Sequence, residues 1–95
     1  MDVRHGDFVW NGHKERANVL KHGVNFILAS QVFADAGVRI FIDEVHSQDE
    51  DRYFAVGVVD NRILTVRFTY RDHLIRIFGA GYWRKGKELY EKKTR

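Results

Sequence analysis

Residues 52–78, RYFAVGVVDNRILTVRFTYRDHLIRIF, decide the fold of this chain. β-branched and aromatic residues are frequent here, and turn-forming residues divide the stretch into three predicted strands. These strands are Arg52–Val59, Arg62–Tyr70 and His73–Phe78. The connection Asp60–Asn61 predicts a two-residue hairpin, because Asn and Asp tolerate a positive φ, and Arg71–Asp72 predicts the second turn. Strands joined by such short turns pair antiparallel, so the stretch predicts an antiparallel meander.

A helix with clear boundaries is predicted before the meander. Asn11 is a suitable N-cap for a helix over Gly12–His22, and Gly23 follows at the position where helices favour a left-handed residue. Lys21 and His22 fall in the last turn, where the helix dipole favours cations.

The other predicted elements complete an α+β fold. They are a strand over Phe8–Trp10, a second helix over Phe26–Phe33, a strand over Val38–Ile42 and a closing helix over Arg84–Lys92. The chain has no repeat, linker or low-complexity segment, so residues 1–95 are predicted to form a single domain. We expect a small antiparallel sheet with the two N-terminal helices packed on one face and a short C-terminal helix.

The composition excludes several classes of protein. The chain is 44% hydrophobic and 31% charged, which is typical of a globular protein rather than a disordered one. It has no cysteine, and therefore neither a disulfide framework nor a cysteine-based zinc site. No apolar run approaches the roughly 18 residues that span a bilayer, and Met1–His5 does not begin a secretory signal. We therefore expect a cytoplasmic protein without a membrane partner.

The positive charge is concentrated at the C-terminal end. Residues 82–95 contain six basic and two acidic side chains and therefore carry a net charge of +4. The whole chain has a net charge of +3, so residues 1–81 carry −1. Such a segment favours polyanions such as RNA, DNA or an acidic protein surface. A solvated, lysine-rich terminal helix would explain the same charge.

Alternation divides the second hairpin strand into two faces. The expected core face carries Leu64, Val66, Phe68 and Tyr70. The opposite face carries Arg67 and Arg71, and alternation in the last strand adds Arg76 to it. A row of guanidinium groups suits phosphate, because each can bind two phosphate oxygens. Polar cross-strand pairs on a solvated face would account for the same pattern.

The ordered residues of the chain resemble the BrnT family, which are small ribonucleases of bacterial toxin–antitoxin pairs. The resemblance is carried by residues spread over most of the chain: Phe8–Asn11, Asn18–Phe26, Ala29, Val32, Phe33, Asp35, Asp43, His46, Ser47, Glu50–Tyr53, Gly57, Leu64, Val66, Thr69, Tyr70, Arg71, Ile75–Phe78 and Tyr90–Glu91. One segment departs from the pattern, because much of the family has Ser-Ala-Arg where this chain has Gly79–Gly81. Arg76, Arg84 and Lys85 are the candidates to replace the missing arginine.

The resemblance implies a RelE-like fold and the toxin of a type II pair. Such a protein would be a metal-independent endoribonuclease without a cofactor, neutralised by a BrnA-like ribbon-helix-helix antitoxin and bound to operator DNA only through that complex. An imagined metal cluster at Asp43, His46, Asp49 and Glu50 matches no ligand spacing. The alternative is a non-catalytic module that acts only in antitoxin binding and operon autoregulation, which the glycine at position 81 favours.

RNA cleavage without a metal needs a base for the 2′-hydroxyl, a cation for the phosphorane and an acid for the leaving oxygen. His22 is the first proton-transfer candidate, although a dipole partner at a helix end explains it equally. His13, on a helix with polar neighbours, and His46, in an acidic loop, are weaker ones. The predicted catalytic residues are His22, Lys21, Arg67, Arg76 and Tyr70. The predicted RNA or phosphate contacts are Arg71, Trp83, Arg84, Lys85 and Lys87, where an aromatic ring among cations can stack a base.

Overall fold

The computed structural model describes residues 1–92, which form an α+β fold. The strands are β1 (Asp2–His5), β2 (Phe8–Asn11), β3 (Arg39–Ile42), β4 (Tyr53–Val59), β5 (Arg62–Arg71) and β6 (Leu74–Gly81). The helices are α1 (Gly12–His22), α2 (Phe26–Ser30) and α3 (Arg84–Glu91), with 3₁₀ turns at Gln31–Ala34 and Glu44–His46. The strands form one sheet in the order β1-β2-β6-β5-β4-β3. Residues 93–95, which end the predicted domain and its basic segment, lie outside the described part.

The predicted meander is present as β4, β5 and β6, and β5 pairs antiparallel with both neighbours. Asp60 and Asn61 adopt φ of 50° and 64°, as a tight hairpin requires. The second turn lies one residue later than predicted, at Asp72 and His73, whose φ are 55° and 63°. β6 extends to Gly81, three residues beyond the predicted end at Phe78.

The expectation of a purely antiparallel sheet is wrong, because β2 runs parallel to β6 in the register Phe8 with Ile75 and Trp10 with Ile77. No local turn connects these strands, so no local sequence rule sets their direction. β1 was not predicted either. It pairs antiparallel with β2 through a turn with Gly6 at φ 59°, and all its side chains are exposed, so it carries no core pattern.

The core lies on the face of the sheet that carries Leu64, Val66 and Phe68, as predicted; we call it the core face. α2 and the 3₁₀ turn that follows it cover this face with the fully buried residues Phe26, Ala29 and Val32. The predicted second helix therefore exists, but its last turn is 3₁₀ rather than α.

α1 begins and ends as predicted, and it lies beside β6. The side chain of Asn11 accepts hydrogen bonds from the first turn, and Gly23 ends the helix at φ 71°. The buried Asn18 amide donates to the Ala80 carbonyl at 2.9 Å and accepts from the Ala80 N–H at 3.1 Å. α1 thus satisfies the edge of β6 beyond the point where β2 ends.

α3 lies on the opposite face of the sheet and covers only part of it. Gly86 sits directly over Thr65, with no room for a Cβ atom. The Tyr90 hydroxyl donates to Asp35 Oδ2 at 2.7 Å, and Arg39 donates to the Leu89 carbonyl at 2.7 Å. Within residues 1–92, no helix is long and apolar enough to cross a membrane.

Candidate functional site

Arg67 lies at the centre of the partly covered face, which we call the arginine face. It pairs across the sheet with Phe54 on one side and Gly79 on the other. A β-bulge in β6 leaves Phe78 as the extra residue between the pairs Arg67 with Gly79 and Phe68 with Ile77. Arg67 is half-buried and makes no side-chain hydrogen bond or ion pair within residues 1–92.

A cavity of about 220 Å³ joins Arg67 to α1. Its α1 wall consists of Lys14, Ala17, Asn18, Lys21 and His22, and its other residues are Arg67, Phe78, Gly79 and Trp83. The α1 residues recur every three or four positions and therefore share one face of the helix. The structure thus brings together four predicted residues, His22, Lys21, Arg67 and Trp83. Lys14 was missed, although it lies two helical turns before Lys21 on the same face.

A second cavity, of about 300 Å³, lies on the other side of Arg67. Its lining residues are Asp43, His46, Phe54, Thr65, Arg67, Trp83, Lys85 and Gly86. Arg67 and Trp83 line both cavities, and we call the combined space the Arg67 cleft. The predicted phosphate contact Lys85 therefore lines the same cavity as Arg67. His46 enters the cleft with its Nδ1 at 2.9 Å from Asp43 Oδ2.

Trp83 occupies the place where a side chain at position 81 would lie. A Cβ atom on Gly81 would approach Trp83 Cε2 to 2.6 Å, so only glycine leaves room for the indole. The same indole meets the His22 ring edge-on, with ring centroids 5.2 Å apart. At Gly81, which departs from the Ser-Ala-Arg pattern, the Trp83 indole therefore occupies the space that a side chain would take.

Arg71 and Arg76 lie on the arginine face, as predicted, but each has an acidic partner. Arg76 is 2.7 Å from Asp2 Oδ2, and Arg71 is 2.7 Å from Glu50 Oε2. These hydrogen bonds hold the pKa of Asp2 and of Glu50 below the ordinary values of the two carboxyl groups. The Asp2 contact also raises the pKa of Arg76. Both arginines are committed within the fold, unlike Arg67.

The remaining predicted residues lie away from the Arg67 cleft. Tyr70 is on the core face, with its ring centroid 5.3 Å from those of Tyr53 and Phe68. Arg84 and Lys87 line a third cavity, of about 430 Å³, together with Asn61, Arg62, Ile63, Tyr82, Trp83 and Glu91. Trp83 is the wall between this cavity and the cleft. In the described part of the chain, no three His, Asp or Glu side chains are grouped to hold a metal ion.

The chain matches a known protein family. The family model described as "Ribonuclease toxin, BrnT, of type II toxin-antitoxin system" matches residues 10–87. The matched region spans β2 to α3 and contains every residue of the Arg67 cleft. No curated protein matches the chain.

Proposed function

Because the chain belongs to the BrnT family of ribonuclease toxins of type II toxin–antitoxin systems, we propose that it is a metal-independent endoribonuclease that inhibits translation and growth in the cytoplasm by cleaving RNA. The main support for the proposal is the environment of Arg67. It is a half-buried cation without a partner among residues 1–92, and it stands between two cavities whose walls are mostly basic and aromatic.

The chemistry of the cleft suits an RNA phosphodiester. Arg67 offers a planar fork for two non-bridging phosphate oxygens, and Lys14 and Lys21 add positive charge on the α1 side. His22 is placed beside them for proton transfer. The half-buried Trp83 offers a ring against which a base can stack. The binding step therefore uses Arg67 and the lysines, and the proton transfer uses His22.

A protein antitoxin is the partner that the family implies. We propose a BrnA-like ribbon-helix-helix protein, whose complex with the toxin binds operator DNA and represses the operon. An acidic or amphipathic segment of that antitoxin would complement the basic cleft and exclude RNA from it. The fold that accompanies this function is proposed to be RelE-like.

Incubation of the purified chain with total RNA in EDTA tests the proposal. Wild-type protein is expected to cleave, and both Arg67→Ala and His22→Ala are expected to lose at least about 100-fold in rate, the usual scale for one cation or proton donor. Arg16→Ala is the matched control, because this exposed α1 arginine lines neither cavity of the cleft. Intact RNA with folded wild-type protein would favour the non-catalytic binding module. Cleavage only after Mg²⁺ is added would contradict metal independence.

A further inference from the structure

Cleavage of RNA by proton transfer needs two groups, a base for the 2′-hydroxyl and an acid for the 5′-oxygen. The α1 side of the cleft supplies His22, and Lys14 and Lys21 beside it are suited to binding phosphate. A second histidine lines the cleft on the far side of Arg67, namely His46. The mechanism thus needs a second group for proton transfer, and His46 lies across Arg67 from His22.

We propose that His46, oriented by Asp43, is the general base of the cleavage and that His22 is the general acid. The inference rests on the proposed function and adds to it the second proton-transfer residue and the direction of the reaction across Arg67. Lys85, in the same cavity as His46, would then bind phosphate on the base side.

The contact with Asp43 determines which nitrogen of His46 is the base. Asp43 Oδ2 lies 2.9 Å from His46 Nδ1, and a carboxylate only accepts hydrogen bonds. The proton of the neutral ring is therefore on Nδ1, which leaves the lone pair on Nε2. A carboxylate that fixes the tautomer of a catalytic imidazole in this way is a recurrent arrangement in acid–base catalysis.

Hydrogen bonds anchor the backbone of Asp43, from which its carboxylate projects to His46. The Asp43 N–H donates to the Arg52 carbonyl at 2.7 Å, which extends the pairing of β3 with β4. The Ser47 hydroxyl donates to the Asp43 carbonyl at 2.6 Å, and the His46 N–H donates to the same oxygen at 3.2 Å. The Asp43 side chain is 15% exposed and the His46 side chain 51% exposed. The orienting carboxylate is therefore largely buried, and the ring that it contacts is open to a ligand.

The positions on either side of Arg67 match the stereochemistry of the reaction. In an in-line displacement the attacking and leaving oxygens occupy opposite sides of the phosphorus, so the base and the acid must approach from opposite directions. His46 Nε2 would take the 2′-hydroxyl proton as the 2′-oxygen bonds to phosphorus. The P–O5′ bond breaks as His22 gives its proton to the 5′-oxygen. The products are a 2′,3′-cyclic phosphate and a 5′-hydroxyl, with no redox change.

Two substrates separate the base from the acid. A dinucleotide has a poor alkoxide leaving group, whereas uridine 3′-(4-nitrophenyl phosphate) releases a phenolate that needs no proton. His46→Ala is expected to lose at least about 100-fold on both substrates, because both need a base. His22→Ala is expected to lose at least about 100-fold on the dinucleotide but at most about fivefold on the nitrophenyl ester. His13→Ala, an exposed α1 histidine outside the cleft, is the control and is expected to match wild type.

The position of Asp43 is tested by two variants. Asp43→Asn is expected to lower the rate on both substrates, because the amide can donate to Nδ1 and favour the wrong tautomer. Asp43→Glu, which restores the carboxylate, is expected to recover part of the loss. Circular dichroism confirms that each variant is folded, and His46→Gln replaces His46→Ala if that variant is not.

The outcomes distinguish this inference from the proposed function. Wild-type protein that cleaves neither RNA nor the nitrophenyl ester would overturn both. Wild-type cleavage with an equally active His46→Ala would overturn the inference alone and leave the ribonuclease in place. Rescue of His46→Ala, rather than His22→Ala, by the nitrophenyl ester would show that His46 is the acid, contrary to the proposal.

Discussion

The two faces of β5 differ in what their neighbouring residues do. Phe68 is fully buried on the core face, in aromatic contact with Phe33 and Tyr53. Arg67, one residue earlier, is half-buried on the arginine face and has no polar partner within residues 1–92. Alternation along one strand thus places a core residue next to the residue that we propose binds RNA. A substitution of Phe68 should therefore mainly lower stability, and a substitution of Arg67 should mainly lower RNA cleavage.

The largest expected loss of stability comes from substituting Phe68, and the adjacent Arg67 is the comparison. Phe68→Ala is expected to lower the free energy of unfolding by about 3–5 kcal/mol, because it opens a cavity in the core. Arg67→Ala is expected to lower it by at most about 1 kcal/mol, because no described polar contact is lost. Urea denaturation followed by circular dichroism measures both. Equal losses would show that Arg67 supports the fold and that the comparison fails.

Gly86→Ala is expected to change the arginine face by moving α3. A Cβ atom at this position would collide with the buried Thr65 side chain, so α3 must shift away from the sheet. Overpacking of this kind costs about 1–3 kcal/mol. Because Gly86 and the adjacent Lys85 line the Arg67 cleft, cleavage is expected to fall as well.

The control for this variant is Glu88→Ala, since Glu88 is exposed on the same helix and lines no wall of the cleft. Thermal melting and an RNA cleavage assay on both variants give the two readouts. A Gly86→Ala protein as stable and active as the Glu88→Ala protein would show that α3 is not held against Thr65.

The Asp35–Tyr90 contact connects the two faces around the edge of the sheet, and it predicts that acid lowers the stability of the fold. The N–H of Gly37, the Tyr90 hydroxyl and the N–H of Val58 hold the pKa of Asp35 below its ordinary value of 3.8. A lowered pKa contributes stability above the unfolded-state value, and this contribution is lost as the pH falls through the folded-state value.

Tyr90→Phe is therefore expected to cost about 1 kcal/mol near neutral pH and less in acid. Asp35→Asn is expected to flatten the decrease of stability below about pH 4. Urea titrations at several pH values measure both effects. An Asp35→Asn protein with an unchanged acid limb would show that Asp35 does not carry the linkage.

The smallest expected change in RNA cleavage comes from substituting the other two arginines of the arginine face. Arg71 and Arg76 are each engaged by a carboxylate, so Arg71→Ala and Arg76→Ala are expected to reduce RNA cleavage by at most about fivefold, against about 100-fold for Arg67→Ala. Initial rates on one RNA substrate measure the three variants. Losses as large as that of Arg67→Ala would mean that the ion pairs open when RNA binds and that all three arginines contact it.

The sequence predicted the features that local rules determine. The turn at Asp60–Asn61, the end of α1 at Gly23 and the placing of Arg67 opposite the core all follow from positive-φ preferences and alternation. The parallel pairing of β2 with β6 could not be predicted, because it joins the two ends of the chain without a local turn. The ion pair of Arg76 depends on that same pairing, because its partner Asp2 lies on β1.

The cleft itself was only partly predictable. His22, Lys21 and Trp83 were expected from their neighbours in the chain, but the place of His46 depends on a 3₁₀ turn that carries the acidic segment to the arginine face. The phenol of Tyr70 suits proton transfer, but alternation places this residue on the core face, where the structure has it. A side chain of suitable chemistry is therefore a site candidate only if the strand also directs it to the face that carries the site.

The two tryptophans give the protein separate fluorescent reporters. Trp10 is 1% exposed, and its indole N–H donates to Glu15, so its emission should change only when the fold is lost. Trp83 lines all three cavities and touches the His22 ring, so its emission should respond to anything that occupies the cleft. A Trp10→Phe protein would therefore report ligand or antitoxin binding by emission from Trp83 alone, without any attached dye.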